Sequence, residues 1–116
     1  MDEISINYKT WLDQKPSFNC EEISNCFSAF TDEPKAWQAK KAAIVNNSQY
    51  QTNSSLARIV PLAVWTSSLR SIQDVKRAVV SEVELTHSSM LVHAACFLYC
   101  ASLKYLLNHP DDPNRA

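Results

Sequence analysis

Two short stretches of the chain concentrate the side chains that can do chemistry. The first, QTNSSLARIVPLAVW at residues 51 to 65, turns abruptly from polar to apolar and carries Arg58 into its apolar run. The second, LTHSS at residues 85 to 89, sets Thr86 and His87 at the junction of two expected helices. Helix N-termini present unpaired N–H groups and the positive end of the helix dipole, so both junctions suit an anionic group. Together they can line one pocket for a phosphate-bearing ligand. Ordinary helix capping and a hydrogen-bonded core histidine explain the same residues, and from spacing alone that is the stronger reading.

Other candidate chemistry is thin. Asp32–Glu33 and Asp111–Asp112 are adjacent carboxylates. The first pair suits a helix start without any catalytic role, and the second falls in a tail unsuited to catalytic precision. Cys96 and Cys100 are one helical turn apart, with His93 three residues before Cys96. These spacings match neither a zinc ribbon nor a zinc finger. The chain has no glycine, where about eight are usual for its 116 residues. Phosphate-cradling glycine loops and a nucleophile elbow therefore have no material to form from.

Composition sets the frame for these residues. Apolar residues make up 46% of one domain-sized chain, enough for a core. Eleven basic residues face twelve acidic ones, which gives no electrostatic reason to expect nucleic acid or an anionic membrane as partner. The opening MDEISINYK shows no secretory pattern, so an intracellular, cytoplasmic setting with reduced cysteines is expected. The uncharged run at residues 85 to 103 is long enough to raise the membrane question. Its two histidines, its hydroxyl side chains and the lack of basic anchors at its start make a buried central helix the expectation, with no membrane.

The elements that must position these residues are helices. Ile4, Tyr8, Trp11 and Leu12 share one helical face, and Pro16 ends that helix. Asn19 with Glu22 reads as a capping box for a second helix with Ile23, Cys26, Phe27 and Phe30 inward. Thr31 or Asp32 is expected to cap a third, with Pro34 in its first turn. Asn53 or Ser54 caps a fourth running through Trp65, and Pro61 should kink or split it. Ser71 with Asp74 opens a fifth whose inner face is Ile72, Val75, Val79 and Val83, with Gln73, Lys76, Arg77 and Glu84 facing water. A last helix covers about residues 88 to 108. The expected fold is all-α, a single compact bundle of about six helices over residues 1 to 116.

Three segments resemble the ADP-ribosylglycohydrolase family. TNSSLARIVPLAVW is similar to the family's SNGSLMRIxPLxxW segment, and VELTHSSMLVHAACFLYCASLKYLL to its LTHxxPxxxxAxxxYxxxxxxLL segment. YKTWLDQKPSFNCEEISNCFSAF is similar to YxxWxxSxPFDIGxTTxxALSA. They occur in the family's order and span Tyr8 to Leu107. The family fold is all-α, and its members hydrolyse glycosidic linkages of ADP-ribose using magnesium ions that activate water.

The resemblance covers the middle segment of such an enzyme, and the metal-ligand motifs are expected to lie outside it. Thr31-Asp32-Glu33 mimics the family's upstream metal triplet but falls after KPSFN instead of before it. By resemblance, Asn53, Ser55, Arg58, Thr86 and His87 lie at or beside the nucleotide pocket. Pairing of Arg58 with a glutamate is at least as strong an expectation as ligand contact. Ser54 stands where the family has glycine, Thr52 where it has serine, and Ala57 where it has methionine.

The implied function is that of a partial, inactive relative that retains ADP-ribose binding. Its expected ligand is ADP-ribose or an ADP-ribosylated protein. No cofactor is expected for this chain alone, and magnesium is expected in full-length relatives. The alternative is a non-catalytic helical interaction module prone to self-association.

Overall fold

A computed structural model describes residues 1–17 and 20–114. Among them are seven helices and no strand: α1 (Asp2–Asp13), α2 (Glu21–Phe27), α3 (Ala36–Asn46), α4 (Ser54–Arg58), α5 (Val60–Ser67), α6 (Ile72–Val83) and α7 (Met90–Asn108). The all-α expectation holds. The count exceeds six because Pro61 splits the fourth helix. It lies in the first turn of α5, and Ile59 forms the break. Proline has no N–H to continue the α4 ladder, yet its fixed φ suits a helix start.

The helices form two small halves. α1, α2 and α3 pack on one another, and α5, α6 and α7 do the same. The first half is built on Ile23, Cys26, Phe27, Ala39 and Ala43, all buried. Ile4, Tyr8 and Leu12 of α1 close over it. The second half is built on Ile59, Ala63, Val75, Val79, Val83, Val92, Cys96 and Cys100. Leu85, at the α6–α7 junction, is buried in the first half's core and so ties the second half to it.

Several local details differ from the sequence reading. α3 starts at Ala36, later than a Thr31 or Asp32 cap would place it. Asp2 Oδ1 accepts from Ala36 N at 2.8 Å, and Gln38 Oε1 accepts from Lys35 N at 2.8 Å. A carboxylate delivered from α1 thus does the capping that the local residues were expected to do. Asn19 lies outside the described residues, and Cys20 holds the N-cap position of α2. Ser71 caps α6 by accepting from Gln73 N at 3.1 Å, but Asp74 instead pairs with Arg77 at 2.5 Å. Ile72 is 46% exposed, so the inner face of α6 begins at Val75.

The chain without glycine still needs one left-handed residue after α1. Lys15 supplies it, at φ 50°, just before Pro16. α7 is long and apolar enough to cross a membrane by length and composition alone. Only Val92, Cys96 and Cys100 of it are buried, against α5 and α6, while Leu91 and Leu98 face outward, so α7 lies at the surface and is not the buried central helix expected from the sequence.

Phe27 is fully buried, and its ring lies between those of Tyr8 and Phe30, at 5.5 and 6.2 Å. Phe27→Ala should cost about 3–5 kcal/mol, a large part of the stability of a domain this size. Urea unfolding followed by circular dichroism measures it, and a shift below about 1 kcal/mol would contradict this packing.

Candidate functional site

The break at Ile59 decides where Arg58 goes. Ile59 is drawn into the core of the second half. Arg58, the last residue of α4, turns toward α1 and α6. Its Nε donates to Tyr8 Oη at 2.6 Å and to Glu82 Oε1 at 3.2 Å, and its Nη2 donates to Thr86 Oγ1 at 2.5 Å. The Tyr8 hydroxyl in turn donates to Glu82 Oε1. The guanidinium also lies 5.3 Å from the centre of the Tyr8 ring, a cation–π contact. The expected pairing of Arg58 with a glutamate is thus present, and the partner is Glu82.

The network continues through the α6–α7 junction. Thr86 Oγ1 lies 2.9 Å from His87 Nδ1. That hydroxyl accepts from Arg58 and also lies 3.5 Å from Val83 O, so its single proton is shared between Val83 O and Nδ1 as alternative acceptors. Nε2 faces Thr52 Oγ1 and Ser54 Oγ at 3.4 Å each, and Glu22 Oε1 at 3.8 Å. Thr52 donates to the same Glu22 oxygen. Asn47, fully buried, donates from Nδ2 to Glu22 O at 2.9 Å and to Thr86 O at 2.8 Å. The result is a chain of polar contacts from α1 and α2 to α6 and α7.

Burial and charge tune these groups. Burial works against the charge on Arg58, but Glu82 and Tyr8 outweigh it and hold the guanidinium above its ordinary value. Burial, then the Glu82 carboxylate, pushes the Tyr8 phenol well up. Burial and the nearby Arg58 charge lower His87, against weaker pulls from Glu22 and Glu82, so it is neutral at pH 7. Burial opposes ionisation of Glu22, yet its bonds to Thr52 and its own backbone prevail and keep it below the usual carboxylate range. Arg58 Nη1 and Glu82 Oε2 are buried without a hydrogen-bond partner among the described residues, so this network is not fully satisfied.

An open cleft of about 500 Å³ lies beside the network. It is bounded by Ile4, Tyr8 and Trp11 of α1, Ile23 of α2, and Ala57 and Arg58 of α4. Of the five residues singled out from the sequence, Arg58 lines this cleft. Thr86 and His87 are fully buried behind it. Ser55 is buried with its Oγ 3.2 Å from Cys96 Sγ. Asn53 is exposed at the N-cap of α4, and its side chain makes no cap bond.

Sequence reasoning missed Tyr8, Glu22, Asn47 and Glu82 as members of this network. Glu82 carried a signal: it falls on the same helical face as Val75 and Val79, and a carboxylate on an apolar face asks for a partner. The four cysteines are free thiols. Burial raises Cys26 to about 12 and Cys100 to about 11, so neither is a reactive thiolate at neutral pH. His93 stands apart from Cys96 and Cys100 in its bonding, donating from Nε2 to His87 O at 2.8 Å.

Magnesium needs several converging oxygen ligands. Here Glu82 is neutralised by Arg58, and Glu22 is bonded to Thr52. Among the described residues no three His, Cys, Asp or Glu side chains converge. The donors of this site do not fit the ion. The chain matches no family model, no curated protein and no solved structure.

The pKa directions give a pH dependence. His87 is held below its free value of 6.5, and Glu22 below 4.5. In both cases the unfolded chain binds protons more readily, so stability rises with pH and is lost on acidification. The His87 part should fade first, as pH falls below 6.5, and the Glu22 part below 4.5. Denaturant midpoints from pH 8 down to pH 4 read this, and His87→Gln should flatten the upper part; a wild-type midpoint that rises between pH 7 and 5 would contradict it.

Proposed function

We propose that the chain is an ADP-ribosylglycohydrolase-like helical unit that binds ADP-ribose without hydrolysing it. One observation carries this reading. Arg58, the arginine of the LARIVPL segment, lines a cleft whose size suits a nucleotide-scale ligand and whose wall includes two aromatic side chains. Trp11, which is 37% exposed, and Tyr8 offer faces on which a purine can stack. Asn7 and Ser54 bring hydrogen-bonding groups to the same cleft. Arg58 borders the cleft with its Nε and Nη2 engaged, its Nη1 buried and its charge paired with Glu82, so the aromatic faces carry most of the contact with a ligand. No hydrolytic step is assigned, because the carboxylates near the cleft do not fit magnesium.

His87 and Thr86 act in this reading as supports that hold Arg58, not as ligand contacts. Substituting His87 would therefore report on folding as much as on binding.

A second reading is a helical interaction module. It is favoured by the number of large apolar side chains left outside both cores, among them Trp37, Val64, Trp65, Met90, Leu91 and Leu98, each more than half exposed. Exposed apolar surface on this scale marks association sites.

Calorimetric titration with ADP-ribose tests the first reading. Saturable binding, the same with and without magnesium, is expected. Trp11→Ala should abolish it, while Trp65→Ala, outside the cleft, should leave it unchanged. No heat of binding from a folded sample would overturn the reading, as would affinity that survives Trp11→Ala.

A further inference from the structure

A ligand that carries phosphates is held by free cations, and the cleft between α1, α2 and α4 does not present one among the described residues. Arg58 is the charged side chain on its lining. Glu82, 3.2 Å away, neutralises that charge. Nε of Arg58 is shared between Tyr8 and Glu82, Nη2 is spent on Thr86, and Nη1 is buried. A phosphate reaches these N–H groups only by breaking the cluster that they hold.

The helices around the cleft do not supply positive charge in its place. Cys20, on the cleft lining, is the N-cap of α2, and the first turn of that helix carries Glu21 and Glu22. Two carboxylates there offset the positive end of the helix dipole. On α1 the ammonium of Lys9 is paired with Asp13. An anion entering the cleft would give up its water without gaining a counter-charge.

What the cleft does offer is neutral. Ile4 and Ile23 face it from α1 and α2, beside the rings of Tyr8 and Trp11. The Tyr8 ring is fixed from two sides, by Phe27 at 5.5 Å and by the Arg58 guanidinium at 5.3 Å. Such faces suit a planar ring of the ligand. The polar groups on the lining, Asn7 and Ser54, are an amide and a hydroxyl. These match the heteroatoms of a base and the hydroxyls of a sugar.

We propose that the cleft binds purine nucleosides through their uncharged base and sugar, and gains no affinity from phosphates attached to them. This inference rests on the reading of the cleft as a nucleotide-scale site and names the part of the ligand that is recognised. It also says what the motif arginine does here: Arg58 builds the wall and does not read the phosphate.

Calorimetric titration of the full chain with adenosine, AMP, ADP and ADP-ribose, at low and high salt, tests it. Adenosine should bind at least as tightly as the three charged ligands, and its affinity should not fall with salt. Trp11→Ala should abolish binding of adenosine, and Trp11→Phe, which keeps a ring, should retain it. Cys20 reports the place of binding. It lines the cleft, while the other three cysteines are buried, so saturating adenosine should slow its alkylation by iodoacetamide.

ADP-ribose that binds more than about tenfold tighter than adenosine, with the gap closing at high salt, would overturn this inference and leave the ADP-ribose reading standing. Adenosine that binds where ADP-ribose does not would overturn the ADP-ribose reading and bear out this inference. Binding that leaves the alkylation rate of Cys20 unchanged would put the ligand outside the cleft and overturn both, as would a folded sample that binds none of the four.

Discussion

The hydrogen-bonded cluster of Tyr8 with Arg58 and Glu82 is the interaction on which this structure turns. Two small helical cores meet with little helix-to-helix packing between them. Each is too small to supply much stability alone. What joins them is Leu85, Asn47 and the polar chain from Glu22 through His87 and Thr86 to Arg58, Glu82 and Tyr8. Arg58 is central because it touches α1 through Tyr8, α6 through Glu82 and the α6–α7 junction through Thr86. Removing either charge would leave the other buried and unpaired, which costs more than the pair contributes when intact.

Much of the fold was legible in the sequence. The apolar face of α6 follows from the spacing of Val75, Val79 and Val83, and the break before α5 follows from the missing N–H of Pro61. The start of α3 was not fully legible, because Gln38 supplies only part of its cap and the rest comes from Asp2, thirty-four residues away along the chain. Local sequence signals describe only local partners, and a long-range cap leaves no trace in them. Ile72 fits the helical period of α6, but it stands in the first turn, where no neighbouring helix covers it.

The candidate site was legible only in part. Spacing located the polar residues at two helix junctions, and the two junctions do meet, through Arg58 with Thr86 and through Ser54 with His87. It did not say which way each side chain turns. Ser55, Thr86 and His87 turn inward and are consumed by contacts with Cys96, Arg58 and one another. The cleft lies between α1, α2 and α4, and its aromatic wall comes from Tyr8 and Trp11 of α1, which read in the sequence as core positions. A residue can match a ligand-binding motif and still serve the scaffold, because a buried hydroxyl or imidazole must find a partner whichever side it faces.

The most direct test of the joint is a double-mutant cycle on Arg58→Met and Glu82→Leu, read by urea unfolding. Each single variant should cost about 3–5 kcal/mol by stranding the remaining charge, and the double variant should recover much of that loss. Two small, additive effects below about 1 kcal/mol each, as for an exposed ion pair, would show that this pair does not anchor the cluster on which Tyr8 of α1 docks.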